Sequence, residues 1–217
     1  MNEVVLIGAS GLAREVVASV QGANRYIGIL DDDPATHGRT IAGLPVLGGV
    51  ELAADRAERL LVCVGAGTFR RTIVRRLALL GIGADRYAAH VADHAVIGAG
   101  SRIGVGAVLL AGVVVTADAV VGDHVVAMPN AVVTHDNVVG DFATLAAGVA
   151  LGGGVRLGEA AFLGMNAAIA PGVVIGRDAV IGMGAVVLAD VPPAQTWAGV
   201  PARPLTRNDP KIARSGS

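Results

Sequence analysis

The run Thr134-His135-Asp136-Asn137 places the parts of a proton-transfer site side by side in an otherwise aliphatic neighbourhood. Histidine is the side chain that takes up and releases protons near neutral pH. Beside a carboxylate, it can accept a proton from an attacking amine or hydroxyl. The other four histidines carry less. His37 lies in a loop where a solvated role is expected. His90 and His94 flank the start of a repeat and are expected as capping or surface residues, and His124 occupies a turn position expected at the surface. The lone cysteine, Cys63, sits in Leu60-Leu61-Val62-Cys63-Val64. It forms no internal disulfide and reads as core rather than nucleophile.

A second set of residues is suited to holding a phosphate and a ribose. Val4-Val5-Leu6-Ile7 reads as a buried strand, Gly8-Ala9-Ser10-Gly11 as a glycine turn, and Leu12 to Val20 as a helix. Glycines between a strand and a helix leave main-chain amides free for a phosphate. A second strand, Tyr26 to Leu30, ends at Asp31-Asp32-Asp33, where an acid can accept from a ribose hydroxyl. A third, Leu60 to Val64, leads through Gly65-Ala66-Gly67 into a helix from about Phe69 to Leu80. Repeated strand-turn-helix units predict a small Rossmann-like parallel α/β domain over residues 1–88. It is too short for a full dinucleotide fold, so a mononucleotide ligand fits better.

The elements that must position His135 follow from a six-residue period that runs from Val91 to Pro192 without a slip. The leading position of each hexad is Val, Ile or Leu in every case except Ala127, and the fifth is small or Val except at Asn137. A two-residue strand buries the leading residue, a tight turn follows, and three strands close a triangular coil of 18 residues. Stacked coils then pair main chain to main chain. With about 4.8 Å between paired strands, the coils make a rod of roughly 25–30 Å. The β-helix is expected over residues 89–192, followed by a C-terminal tail over 193–217 whose polar last ten residues are expected to be loosely held.

Composition narrows the function further. Seventeen basic and 18 acidic residues leave a net charge of −1, with no basic excess for coating nucleic acid. Hydrophobic residues make up 53%, yet glycines and charges interrupt every apolar run before membrane-spanning length. The start Met1-Asn2-Glu3 has no signal-peptide form, so a cytoplasmic protein without membrane insertion is expected. His94, His124 and His135 fall at different phases of the 18-residue coil, which excludes a three-histidine metal site within one chain. Outward apolar side chains, including Val108, Leu110, Val114, Val126, Met128, Val132 and Val138, would leave a monomer with a broad apolar patch, so self-association is expected.

Three stretches carry a family resemblance: Val5-Leu6-Ile7-Gly8-Ala9-Ser10-Gly11, Asn130-Ala131-Val132-Val133-Thr134-His135-Asp136, and Gly184 to Pro192 followed by Gly199-Val200-Pro201-Ala202-Arg203. With the hexad repeat, the chain resembles the sialic-acid O-acetyltransferases and the bacillosamine- and perosamine-type sugar N-acetyltransferases, which are hexapeptide-repeat acyltransferases. The resemblance implies a left-handed β-helix, a homotrimer with active sites between subunits, and acetyl-CoA as cosubstrate with no metal. It implies His135 as general base oriented by Asp136, and Gly153, one coil above, as a main-chain donor to the oxyanion. Coenzyme A would lie along the coils at Gly153, Met165 and Met183. The sugar nucleotide would meet Gly8, Ser10, Gly11, Arg14, Asp31, Asp32 and Met128.

Three positions depart from the family's pattern. Leu12 and Thr144 stand where it has histidine, and Met128 where it has asparagine. The favoured reading is acetyl transfer to the amine of an amino sugar, nucleotide-linked. The alternatives are transfer to a sugar hydroxyl, acyl transfer to a non-nucleotide amine, a non-catalytic β-helical or nucleotide-binding protein, and a metal-dependent hydratase with a site shared between chains.

Overall fold

A computed structural model describes residues 2–19 and 24–205. Val20 and the last ten residues lie outside the described residues. The first unit is a five-stranded sheet in the order β3-β4-β2-β1-β5, with β1 Asn2–Ile7, β2 Asn24–Leu30, β3 Thr40–Ile41, β4 Leu44–Gly48 and β5 Arg59–Val62. The β1, β2, β4 and β5 pairings are parallel, and β3 closes an antiparallel hairpin on β4. That hairpin is an addition to the three strands read from the sequence. Its strands are short, and Pro45 and three glycines obscure their alternation. Helix α1 spans Gly11–Ala18 and α2 spans Gly67–Leu79. Alternation along β1 decides what each face buries: Val4 and Leu6 pack with Leu12, Ala13 and Val16 of α1, while Val5 and Ile7 pack with Leu77 of α2.

Seventeen two-residue strands follow, β6 to β22, from His90–Val91 to Val186–Val187. They stack into three parallel ladders in an 18-residue register, such as Val114↔Val132↔Ala150. The prism interior is a continuous aliphatic column including Leu109, Ala127, Leu145, Leu163 and Ile181. The fourth hexad position adopts a left-handed backbone, with φ of 62° at Asn130, 60° at Asp136 and 73° at Gly172. Gly, Asn and Asp tolerate that region best, which explains their recurrence there. In the tail, Thr196–Ala198 (β23) adds to the ladder in parallel, and Arg203–Pro204 (β24) turns back on it.

The first face of the prism presents His90, Val108, Val126 and Thr144 outward in its first four coils, and the α/β unit covers these residues. Three expectations change here. Val108, Leu110 and Val126 are not a patch awaiting another subunit, because they pack with Leu6, Leu12 and Leu61 of the α/β unit. Burying each such side chain contributes about 1.5–3 kcal/mol. His90 is fully buried, with Nε2 2.7 Å from Ser19 Oγ and Nδ1 2.6 Å from Tyr26 Oη. His124 is buried as well, stacked on Phe142 with Tyr87 edge-on. Burial lowers both imidazoles to a pKa of about 4, and for His124 the nearby Arg70 adds to the effect.

Arg70 fastens α2 to the prism. It is fully buried, and its guanidinium donates to Val64 O, Gly65 O, His124 O, Phe142 O, Ala143 O and Thr144 Oγ1 at 2.8–3.0 Å. Burial lowers its pKa to about 10. Gly67 permits the approach, since a Cβ there would overlap Phe142 O.

Candidate active site

His135 stands at the turn between the second and third faces of the prism. Its Nδ1 lies 2.7 Å from Asp136 Oδ2, and the two side chains are 65% and 68% exposed. With Nδ1–H donating to the carboxylate, Nε2 keeps its lone pair, with no hydrogen-bond partner among the described residues. The turn is held at both ends: Asp136 N–H donates to Ala117 O at 3.1 Å, and His135 O accepts from Gly154 N–H at 3.0 Å. Gly153 sits directly against the ring. A Cβ at Gly153 would lie 2.5 Å from His135 Nε2, so this position takes glycine for close approach. Gly152 N–H and Gly154 N–H are committed to Ile169 O and His135 O, whereas Gly153 N–H has no partner among the described residues. The arrangement offers a proton acceptor and an uncommitted donor within one open corner.

A separate cavity of about 350 Å³ opens at the carboxyl ends of β1, β2 and β5. Gly8, Asp31 and Asp32 line it, with Phe69, Ile73 and Arg76 from one face of α2. This is where parallel α/β sheets hold ligands, at the strand ends where the chain order reverses. Asp31 accepts from Ala9 N–H at 2.6 Å and from Asp33 N–H at 2.8 Å, which braces the glycine turn. Asp32 accepts from Arg76 at 2.6 Å and from Val50 N–H at 3.1 Å, and Arg76 also pairs with Glu51. Desolvation alone would raise the Asp32 carboxyl, but these partners outweigh it and hold it below the usual carboxylate range.

Comparison with known proteins matches residues 3–77 to the PglD N-terminal domain and residues 154–189 to the bacterial transferase hexapeptide repeat. PerB from Caulobacter crescentus, solved with CoA and GDP-perosamine, is 34% identical over 95% of this chain and 98% of its own, with a TM-score of 0.85. The chain belongs to the hexapeptide-repeat sugar acetyltransferases. The acetyltransferase domain of PglB from Neisseria gonorrhoeae FA1090 is 30% identical over 94% of this chain and 100% of its own, with a TM-score of 0.83. WeeI from Acinetobacter baumannii AYE is 27% identical over 93% and 99%, with a TM-score of 0.78. No curated protein matches the chain. As in the rest of this family, the prism is a left-handed β-helix.

Against the family's expected site, the single chain separates four groups. His135, Asp136 and Gly153 form one corner of the β-helix. Gly8, Asp31 and Asp32 line the cavity over α2. Ser10 turns inward, donating to Cys63 O at 2.6 Å and capping α1 through Ala13 N–H, while Gly11 and Arg14 lie outside the cavity in a shallow depression along α1. Met165 and Met183 stack one coil apart on a different corner from His135, 48% and 70% exposed. Met128 lies on that same corner but packs into the apolar cluster that contains Leu12.

Two departures from the family's pattern therefore share one apolar neighbourhood. The third, Thr144, is not at an open surface: it bonds Arg70 and Gly65 O. Phe69 and Arg76 escaped the sequence reading, though Phe69, Thr72, Ile73 and Arg76 at spacings of 3, 1 and 3 mark one helix face. Among the described residues, no group of three or more His, Cys, Asp or Glu is placed to hold a metal ion. Among the described residues, no helix is long and apolar enough to cross a membrane.

Proposed function

We propose that this acyltransferase moves the acetyl group of acetyl-CoA to the amine of a nucleotide-linked amino sugar, with His135 as general base. The observation that carries the reading is the paired imidazole: Nδ1 tied to Asp136 at 2.7 Å and Nε2 open beside Gly153. Nε2 accepts a proton from the acceptor amine as its nitrogen bonds to the thioester carbon. The C–S bond then breaks, and the imidazolium returns the proton to the leaving sulfur. Negative charge growing on the carbonyl oxygen needs a fixed donor, and Gly153 N–H is uncommitted. Asp136 stabilises the charged ring and fixes its tautomer.

The nucleotide part rests on the cavity at Gly8, Asp31 and Asp32, and on the GDP-perosamine held by PerB. The CoA part rests on the relatives solved with CoA or acetyl coenzyme A, with Gly153, Met165 and Met183 as its contacts. Ser10, Gly11, Arg14 and Met128 complete the proposed acceptor side.

A homotrimer belongs to the same proposal. The second face presents only Val96, Val114, Val132, Ala150, Ala168 and Val186 outward, an unbroken aliphatic ladder. His135 lies at the edge of that face, so a neighbouring copy seated on it borders the base. Such an arrangement supplies the residues that one chain leaves apart.

The test is acetyl transfer from acetyl-CoA, read by mass spectrometry across amino-sugar nucleotides, free amino sugars and simple amines, with H135A in parallel. Product only on nucleotide-linked sugars supports the full reading. Product on free amines alone overturns the nucleotide part, and loss of specificity for amines in favour of hydroxyls overturns N-transfer.

A further inference from the structure

The interior of the β-helix holds one residue that its packing does not call for. The fifth hexad positions point into the prism and carry Ala, Val or Ser, except Asn137, which is fully buried. In the same column one coil below and one coil above stand Ala119 and Val155, both fully buried. An aliphatic side chain therefore fits this place. Burying a primary amide costs free energy unless its groups are paired. Asn137 Nδ2 donates to Thr134 O at 3.0 Å and reaches Thr134 Oγ1 at 3.3 Å, but Oδ1 has no partner among the described residues. Stability alone does not account for the amide.

What the amide grips is the peptide that enters His135. In the turns before and after it along the chain the main chain makes the corresponding closure, Ala131 N–H donating to Met128 O at 3.2 Å and Ala143 N–H to Gly140 O at 3.3 Å, whereas the stacked turn below binds Ala119 N–H to Ser101 Oγ instead. At the His135 turn the Asn137 side chain reaches that carbonyl. Thr134 is fixed a second time by its hydroxyl, which donates to Leu151 O at 2.9 Å. The ring outside is largely exposed, held by Asp136 and flanked by Gly153. We propose that Asn137 is a positioning residue, setting from inside the prism the turn that aims His135 at the acceptor. This rests on His135 being the base, and its substrate contacts stay those of His135.

The experiment compares Asn137→Val and Asn137→Ala, the residue types of the same column, with wild type and H135A. Each is measured alone and in the H135A background, with thermal unfolding as the folding control. The proposal expects both variants folded, with melting temperatures at or above wild type. It expects kcat to fall by about 10- to 100-fold, because misaimed groups lose rate rather than affinity. It expects KM for acetyl-CoA to stay within about twofold and no further loss once His135 is absent. Activity within about threefold of wild type in both variants overturns it. An equal loss in both backgrounds also overturns it, since that is the mark of a merely structural residue. Full activity in H135A itself is a different failure, that of the general-base reading.

Discussion

Replacing Gly153 with alanine tests the site at its tightest contact. The new Cβ would lie 2.4 Å from His135 Cε1 and 2.5 Å from Nε2, and the ring must retreat by about 1.0 Å to reach the 3.4 Å at which ordinary contact begins. The backbone at Gly153 is not in the left-handed region, so alanine adds this steric conflict without main-chain strain. His135 is 65% exposed and can swing outward, so folding is spared. Gly→Ala at a compatible position even reduces the freedom of the unfolded chain, by roughly 0.4–1 kcal/mol. A displacement near 1 Å at a reacting group can cost about 10²-fold in rate, which is about 2.7 kcal/mol of transition-state stabilisation. The assay is steady-state acetyl transfer, followed by thiol release from acetyl-CoA, with thermal unfolding alongside. G153A is expected to lose about 10²-fold in kcat/KM with an unchanged or slightly higher melting temperature, and to add little in the H135A background. A folded G153A within threefold of wild type refutes the claim that this contact holds the ring where catalysis needs it.

Arg70→Met keeps the apolar stem but orphans the carbonyls it joins, so urea unfolding is expected to show a loss of about 3 kcal/mol; an unchanged midpoint contradicts the role of Arg70 as the fastening between α2 and the β-helix. The buried His90 and His124 have folded pKa values of about 4 against 6.5 unfolded, so the unfolded chain binds more protons between those values. Stability is therefore full above pH 6.5 and is lost as pH falls toward 4, on the order of 2–3 kcal/mol for each histidine. Urea midpoints that do not fall between pH 7 and 4.5 contradict it. Val132→Glu places a charge in the aliphatic ladder of the second face and is expected to shift light-scattering mass from trimer to monomer, with activity lost in parallel. A monomeric wild type sinks the shared-site proposal.

The β-helix was legible because its constraint is local and periodic. Each hexad must bury its leading and fifth residues and turn between them, so position in the repeat places His135 outside and Gly153 beside it. Burial imposed by the other unit was not legible. Nothing in the six-residue period separates a face covered by the α/β unit from one open to solvent, so the period alone predicts a surface place for His90, His124, Val108, Leu110 and Val126, all of which are buried. The cavity was half legible. Its glycine turn and acids are adjacent in sequence, whereas Phe69 and Arg76 reach it from a helix whose exposed face looked like ordinary surface. The asparagine inside the prism stood out by type alone, and its hydrogen bond to Thr134 O required the folded turn.

The most direct test of the central claim is the transfer of acetyl from acetyl-CoA to a nucleotide-linked amino sugar by wild type and H135A under identical conditions. The account predicts an acetylated amine with wild type and a loss of at least about 10²-fold with H135A that still folds and binds coenzyme A. Equal product from both proteins contradicts it.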